Sequence, residues 1–167
     1  SGHFAKEIVP VPVPQRKGEP VIVTVDEGIR TDATTASLAA LRPAFQANGT
    51  ITAGNASQIS DGGAALVLAD AAAAADAGFP VLATIRGYGQ IGGPDATLHD
   101  RPAEALRIAL KRAGMSPGDL DLVEINEAFA AVALWSARSL DIDPARVNVN
   151  GGAVALGHPL GATGARI

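Results

Sequence analysis

Apolar and polar positions alternate in several distinct ways along the chain, and each way predicts a different element. In residues 8–14 (IVPVPVP) apolar residues alternate with proline, which forbids a helix or a central strand and suits an edge strand or polyproline-like segment. A polar turn at 15–19 (QRKGE) leads into Val21, Ile22, Val23, Thr24 and Val25, which read as a strand. Residues 1–30 therefore predict a hairpin or a long excursion. Residues 34–42 are helical by pattern and stop at Pro43, because the residue before a proline avoids the α region. The continuous apolar run 64–69 (AALVLA) follows Asp61, Gly62 and Gly63, as expected for a strand buried on both faces. Asp70 is placed to cap a short alanine helix ending at Gly78, and residues 81–85 read as another strand.

Further along, Pro102 opens a helix that runs to about Ala113, with Leu106, Ala109, Leu110 and Ala113 on one face. Residues 121–125 (DLVEI) predict a short strand. Asn126 to Leu140 predict a long helix, with Phe129, Val132, Ala133, Ser136 and Leu140 on a face. A last strand, 146–149, runs into Asn150, Gly151 and Gly152. Strands alternating with helices predict an α/β fold with a largely parallel or mixed sheet. The pattern ends within a helical segment at Gly164, Ala165, Arg166 and Ile167 with no cap, and the first residues have no partner strand within easy reach. Both ends are expected to be cuts.

Composition narrows the class. At 167 residues the chain has the length of one ordinary domain. Its net charge of −4, with 18% charged and 47% hydrophobic residues, argues against a disordered polymer and a basic nucleic-acid binder. No cysteine is present, so disulfides, thiolate metal sites and a cysteine nucleophile within this chain are excluded. The first residues lack a secretory pattern, and the most apolar stretch is too short to span a bilayer. A soluble, cytoplasmic protein is expected, with neither nucleic acid nor membrane as partner. His3, His99 and His158 show no ligand spacing, so no metal site is expected.

Several segments offer chemistry, each with a plainer explanation. Gly87, Gly89 and Gly92 spell a G-x-G-x-x-G after a predicted strand. Gly93 and Pro94 then intervene before any helix, and Arg112 stands where a ribose-binding acid belongs. A glycine-rich strand end is the better explanation. Residues 152–157 have P-loop glycine spacing, but His158 and Pro159 replace the lysine and hydroxyl residue that nucleotide hydrolysis needs. That segment still presents one imidazole in a bare glycine setting, with a proline placed to start a helix. Asn126 is either a helix cap or a site residue beyond the carboxyl end of a strand. Asn55 and Ser57 read as a turn.

Taken together these segments resemble the thiolases, most closely the acetoacetyl-CoA thiolase group. Residues 126–130 (NEAFA) match one family motif, and 150–166 (NGGAVALGHPLGATGAR) match its glycine-rich histidine signature. Residues 41–45 (LRPAF), 52–57 (TAGNAS) and 61–62 match the run through its coenzyme A site. The resemblance implies a layered αβα fold with mixed sheets and covering helices, incomplete in this chain. It implies residues 1–57 as the end of the loop domain, 58–92 as the last strands of the first half, and 93–167 as most of the second half. It implies His158 as the active-site histidine that promotes thiolate formation and helps form an oxyanion hole, and Asn126 as the residue holding the water that supplies the other donor. Ser57 and Phe45 would line the pantetheine channel, Gly54 would lie along it, Arg30 would contact the adenine side, and Phe129 would wall the acyl pocket. The implied reaction joins two acetyl-CoA into acetoacetyl-CoA plus CoA, or reverses it. Coenzyme A thioesters are the substrates, with no further cofactor, in a homo-oligomer (dimer or tetramer).

The chain also departs from the family. Thiolase chemistry needs one cysteine to hold the acyl group and another to move the α-proton, and this chain contains neither. The resemblance places the first before Ser1 and the second after Ile167, so the chain is expected to be inactive alone. Residues 98–102 (LHDRP) replace a more usual methionine-glycine stretch, which leaves acyl chain length open. A non-catalytic acyl-CoA or lipid-binding module on the same scaffold is the alternative. A nicotinamide-dependent oxidoreductase, suggested by residues 87–92, is a third.

Overall fold

The computed structural model describes residues 2–167; Ser1, the first residue of the expected N-terminal excursion, lies outside the described residues. The hairpin forms as the pattern predicts. Strands β1 (Val11–Val13) and β2 (Val21–Val23) pair antiparallel, with Pro12 opposite Ile22 and both strands exposed. Helix α1 (Thr35–Ala39) is opened by a reciprocal cap between Thr34 and Ser37 and is shorter than the expected 34–42. Asp70 caps α2 (Ala71–Asp76) by accepting from the backbone N–H of Ala72 and Ala73. Gly78 follows at φ 68°, a left-handed turn that suits glycine.

Packing concentrates in the second half. Helix α3 (Arg101–Ala113), with Pro102 in its first turn and Gly114 closing it at φ 69°, lies against α4 (Ala130–Ser139). The core is Ala103, Val123, Ile125, Val132, Ala133, Leu140 and Ile142, with Leu106 and Phe129 packed around it. Another face of α3 carries Ala105 and Ala109. Gly87 lies on the Ala109 carbonyl and Gly89 on the Ala105 carbonyl, so close that a Cβ at either position would overlap helix backbone. Arg112 fastens this crossing by donating to the Tyr88 carbonyl at 2.8 Å, with its guanidinium 4.4 Å from the centre of the Tyr88 ring. The first two glycines of the G-x-G-x-x-G are therefore explained by close approach to a helix, while Gly92 has open space around it.

Three expectations need correction. The runs 64–69 and 81–85 form no strand among the described residues, and their large side chains are exposed, Val67 at 92% and Leu82 at 95%. An apolar run is competent to join a sheet, but a ladder also needs a neighbouring strand at hydrogen-bonding distance. Of the predicted strands at 121–125 and 146–149, only a single parallel bridge forms, Val123 to Val147. Finally, α4 begins at Ala130 and not at Asn126, so Asn126 is no cap. Residues 126–129 instead pair with 55–57: Ser57 N–H donates to the Ala128 carbonyl at 3.1 Å and Ala130 N–H to the Asn55 carbonyl at 2.9 Å. These tertiary bonds take the backbone groups that a first helical turn would have used. Beyond, α5 (Ala153–Leu156) and α6 (Leu160–Arg166) flank the turn at His158, and α6 starts directly after Pro159 as expected.

Candidate active site

The segment 55–60 is the spine on which the site is assembled. One side of it bonds to the 126–130 loop. On the other side, His158 N–H donates to the Gln58 carbonyl at 3.2 Å, and Ile59 bridges to His158 in parallel. The Gln58 amide donates to the Ala155 carbonyl at 3.3 Å and the Gly28 carbonyl at 3.0 Å, tying the histidine turn to a third segment. The turn itself depends on Gly157, at φ 87° and against the Ser60 hydroxyl, where a Cβ would be both strained and crowded. Arg166 reaches back from α6 and donates to the Gly157 carbonyl at 2.9 Å.

On this scaffold two polar side chains meet. Asn126 Nδ2 lies 3.4 Å from His158 Nε2, and both residues are half-buried. The other ring nitrogen, Nδ1, lies 2.8 Å from Thr163 Oγ1, and Thr163 is only 2% exposed. The single Thr163 hydroxyl proton is donated to the Pro159 carbonyl at 3.1 Å, so towards the ring this oxygen can only accept. With the hydroxyl so oriented, a neutral imidazole carries its proton on Nδ1 and presents a lone pair at Nε2. Asn126 Oδ1 is buried and has no hydrogen-bond partner among the described residues. Two cavities, of about 710 and 420 Å3, share residues 124–126 in their walls. Beside them, burial and then the charge of Glu127 hold the Glu124 carboxyl above its ordinary value.

The remaining candidate residues are placed unevenly. Phe45 and Phe129 meet edge to face, with ring centres 6.2 Å apart. Gly54 lies under Leu38 and Leu41, where a Cβ would come within 2.5 Å of the Leu38 side chain. Ser57 sits at the pairing of the spine with the 126–130 loop. Arg30 stands apart, exposed and without a hydrogen bond or ion pair among the described residues. Thr163, Gln58, Glu127 and Asn148 were not singled out by the sequence. Thr163 was the most accessible of these, because it lies five residues after the histidine, about one helical turn into α6.

Comparison with known proteins places the chain in a family. Residues 79–167 match the family described as "Thiolase, C-terminal domain", and residues 1–72 match "Thiolase, N-terminal domain". The chain is 56% identical over 166 residues to a probable acetyl-CoA acetyltransferase of Mycolicibacterium smegmatis, covering 99% of this chain and 43% of that protein. It superposes on the crystal structure of the Bacillus anthracis acetyl-CoA acetyltransferase with a TM-score of 0.86 at 45% identity, over 99% of this chain and 42% of that one. Against the dimeric peroxisomal thiolase of Saccharomyces cerevisiae the TM-score is 0.83 at 42% identity, over 99% and 41%. The shared architecture is a mixed α/β fold, of which this chain spans well under half the length of its relatives.

Proposed function

Since this chain belongs to the thiolase family, we propose that it forms the histidine and asparagine side of an acetoacetyl-CoA thiolase. The observation that carries the reading is the convergence of Asn126 Nδ2 and His158 Nε2 at 3.4 Å, beside a cavity. The chain has no cysteine, so both thiols come from other parts of the functional protein. In condensation the Nε2 lone pair accepts the proton of the nucleophilic thiol. The thiolate then attacks the carbonyl carbon of one acetyl-CoA, the bond from that carbon to the CoA sulfur breaks, and CoA leaves with the proton of the second thiol while Nε2 keeps its own. A second thiolate removes an α-proton from another acetyl-CoA, and the resulting carbanion attacks the acetyl group and displaces the first sulfur.

Negative charge gathers on a thioester oxygen as the α-proton leaves. The protonated Nε2 is now a donor, and the Asn126 amide, directly or through a held water, supplies the second. Donors fixed before the charge develops stabilise it without reorganising, and losing one such donor typically lowers rate by about 10²–10³. Ser57, Phe45, Gly54 and Phe129 border the approach of the acyl-pantetheine arm, and Arg30 meets the adenine end. The functional protein acts in the cytoplasm as a homo-oligomer. The dimeric yeast relative supports the homo-oligomer, and no helix among the described residues is long and apolar enough to cross a membrane.

The test is acetoacetyl-CoA thiolysis by the full-length protein that contains these residues. His158→Ala should lose at least about tenfold more activity than Lys111→Ala. The 167-residue chain alone should show no turnover. Equal activity of the two variants, or robust cleavage by the chain alone, would refute the proposal. The missing thiols favour one other reading, an acyl-CoA-binding module without catalysis. A reading frame that opens near Ser1 and closes after Ile167, with micromolar CoA-thioester binding, would establish that reading instead.

A further inference from the structure

Asn126 is not held by its own side chain. Its Oδ1 has no partner among the described residues, and its Nδ2 makes only the 3.4 Å approach to His158. Something else must set where the amide points.

The residues on either side of it are gripped. Asn148, at φ 49° in the left-handed region that asparagine tolerates, turns its side chain onto Ile125. Its Oδ1 accepts from Ile125 N–H at 2.8 Å, and its Nδ2 donates to the Ile125 carbonyl at 2.9 Å. One side-chain amide thus satisfies both backbone groups of the residue just before Asn126, as a neighbouring strand would. The same Nδ2 donates to Glu127 Oε1 at 2.7 Å, and Val154 N–H, in the first turn of α5, donates to Glu127 Oε2 at 3.1 Å. The carboxylate therefore fastens the residue just after Asn126 to the segment that leads into the histidine turn. Gly152 makes room for it: a Cβ there would overlap the Glu127 carboxyl, which supplies all three of its nearest atoms.

The chemistry of the clamp calls for a carboxylate. Both oxygens of Glu127 face N–H donors, so a glutamine would turn its own N–H donors on one of them. A half-buried charge without an ion-pair partner among the described residues is a costly way merely to fill space.

We propose that Glu127 and Asn148 are positioning residues, whose hydrogen bonds to Val154 and Ile125 clamp the backbone on both sides of Asn126 and so aim its amide at the point served by His158. The inference rests on the reading of Asn126 as a donor in thiolysis. It requires that the effect of Glu127 pass through Asn126, since misplacing a reacting group by about 1 Å can cost on the order of 10²-fold in rate.

The test is a double-mutant cycle in the full-length protein. Glu127→Gln should lower kcat at least about tenfold with KM for the acyl-CoA within about twofold, and should add less than about twofold in an Asn126→Ala background. Gly152→Ala, which displaces the same carboxylate while leaving Glu127 in place, should repeat the pattern even if Glu127→Gln folds poorly. A crystal structure of either variant should show Asn126 Nδ2 withdrawn from His158 Nε2 beyond 3.4 Å. Equal losses from Glu127→Gln in both backgrounds, or an unmoved Asn126 in the variant structure, would overturn the inference. If Asn126→Ala by itself leaves kcat unchanged, the donor role falls, and the variant structure still decides whether the clamp exists.

Discussion

Replacing Thr163 by valine removes one oxygen and nearly keeps the branched shape, at a site only 2% exposed. That oxygen accepts from His158 Nδ1 at 2.8 Å and donates to the Pro159 carbonyl at 3.1 Å. Without it, the Nδ1–H proton has no acceptor in a place closed to water, and a buried donor left unpaired costs about 1–3 kcal/mol. The ring can avoid part of that cost by moving its proton to Nε2, but Nε2 then loses the lone pair that a thiol proton needs and faces the Asn126 N–H group. A shift of about 1.4–2.7 kcal/mol between the two tautomers corresponds to about 10–100-fold in the competent population. The expected result is a drop of that size in kcat/KM for acetoacetyl-CoA thiolysis, and a loss of about 1–3 kcal/mol in denaturant unfolding of the full-length protein. Thr163→Ser keeps the hydroxyl and should recover most of the activity. A valine variant with parental kcat/KM, or a serine variant as slow as the valine one, would refute the tautomer argument.

Three further outcomes follow from packing and charge. Gly89→Ala forces a methyl group into the Ala105 carbonyl of α3 and should cost at least about 1–3 kcal/mol in chemical denaturation, whereas Gly164→Ala, with open space around it, should cost less than 1 kcal/mol. Asn148→Ala removes an amide that makes three hydrogen bonds and should destabilise by about 2–4 kcal/mol in the same measurement. Glu124 has its folded-state carboxyl held above the ordinary value, by burial and then by Glu127, so its contribution to stability is present at low pH and lost as pH rises through the raised value. Glu124→Gln should therefore gain in stability relative to the parent as pH rises from about 4 to 7, and a difference independent of pH would contradict the shift.

How much was legible depended on how local each cause was. Asp70 as a cap, the glycine turn at Gly78 and Pro102 at the start of α3 act over a few residues, and all three appear where the pattern put them. His158 was recognisable because its glycines and proline lie beside it in the chain. Its partner Thr163 was readable in principle, yet a threonine five positions on gives no sign of the Pro159 carbonyl that fixes which way its proton points. Glu127 and Asn148 lie 21 residues apart, and neither carries a mark of the other.

What the residues alone decided about this protein is its set of short, capped helices, its hairpin, its lack of thiols and the motifs of its family. Tertiary structure decided the rest. It moved the start of α4 from Asn126 to Ala130, because bonds to Asn55 and Ser57 replaced a helical turn. It left the apolar runs 64–69 and 81–85 outside any ladder, and it brought Asn126 to His158 across 32 residues of chain. Caps and turns satisfy backbone groups with atoms a few bonds away, so the local residues suffice to specify them. Ladders and side-chain pairs need a distant segment at hydrogen-bonding distance, and only the folded chain supplies one.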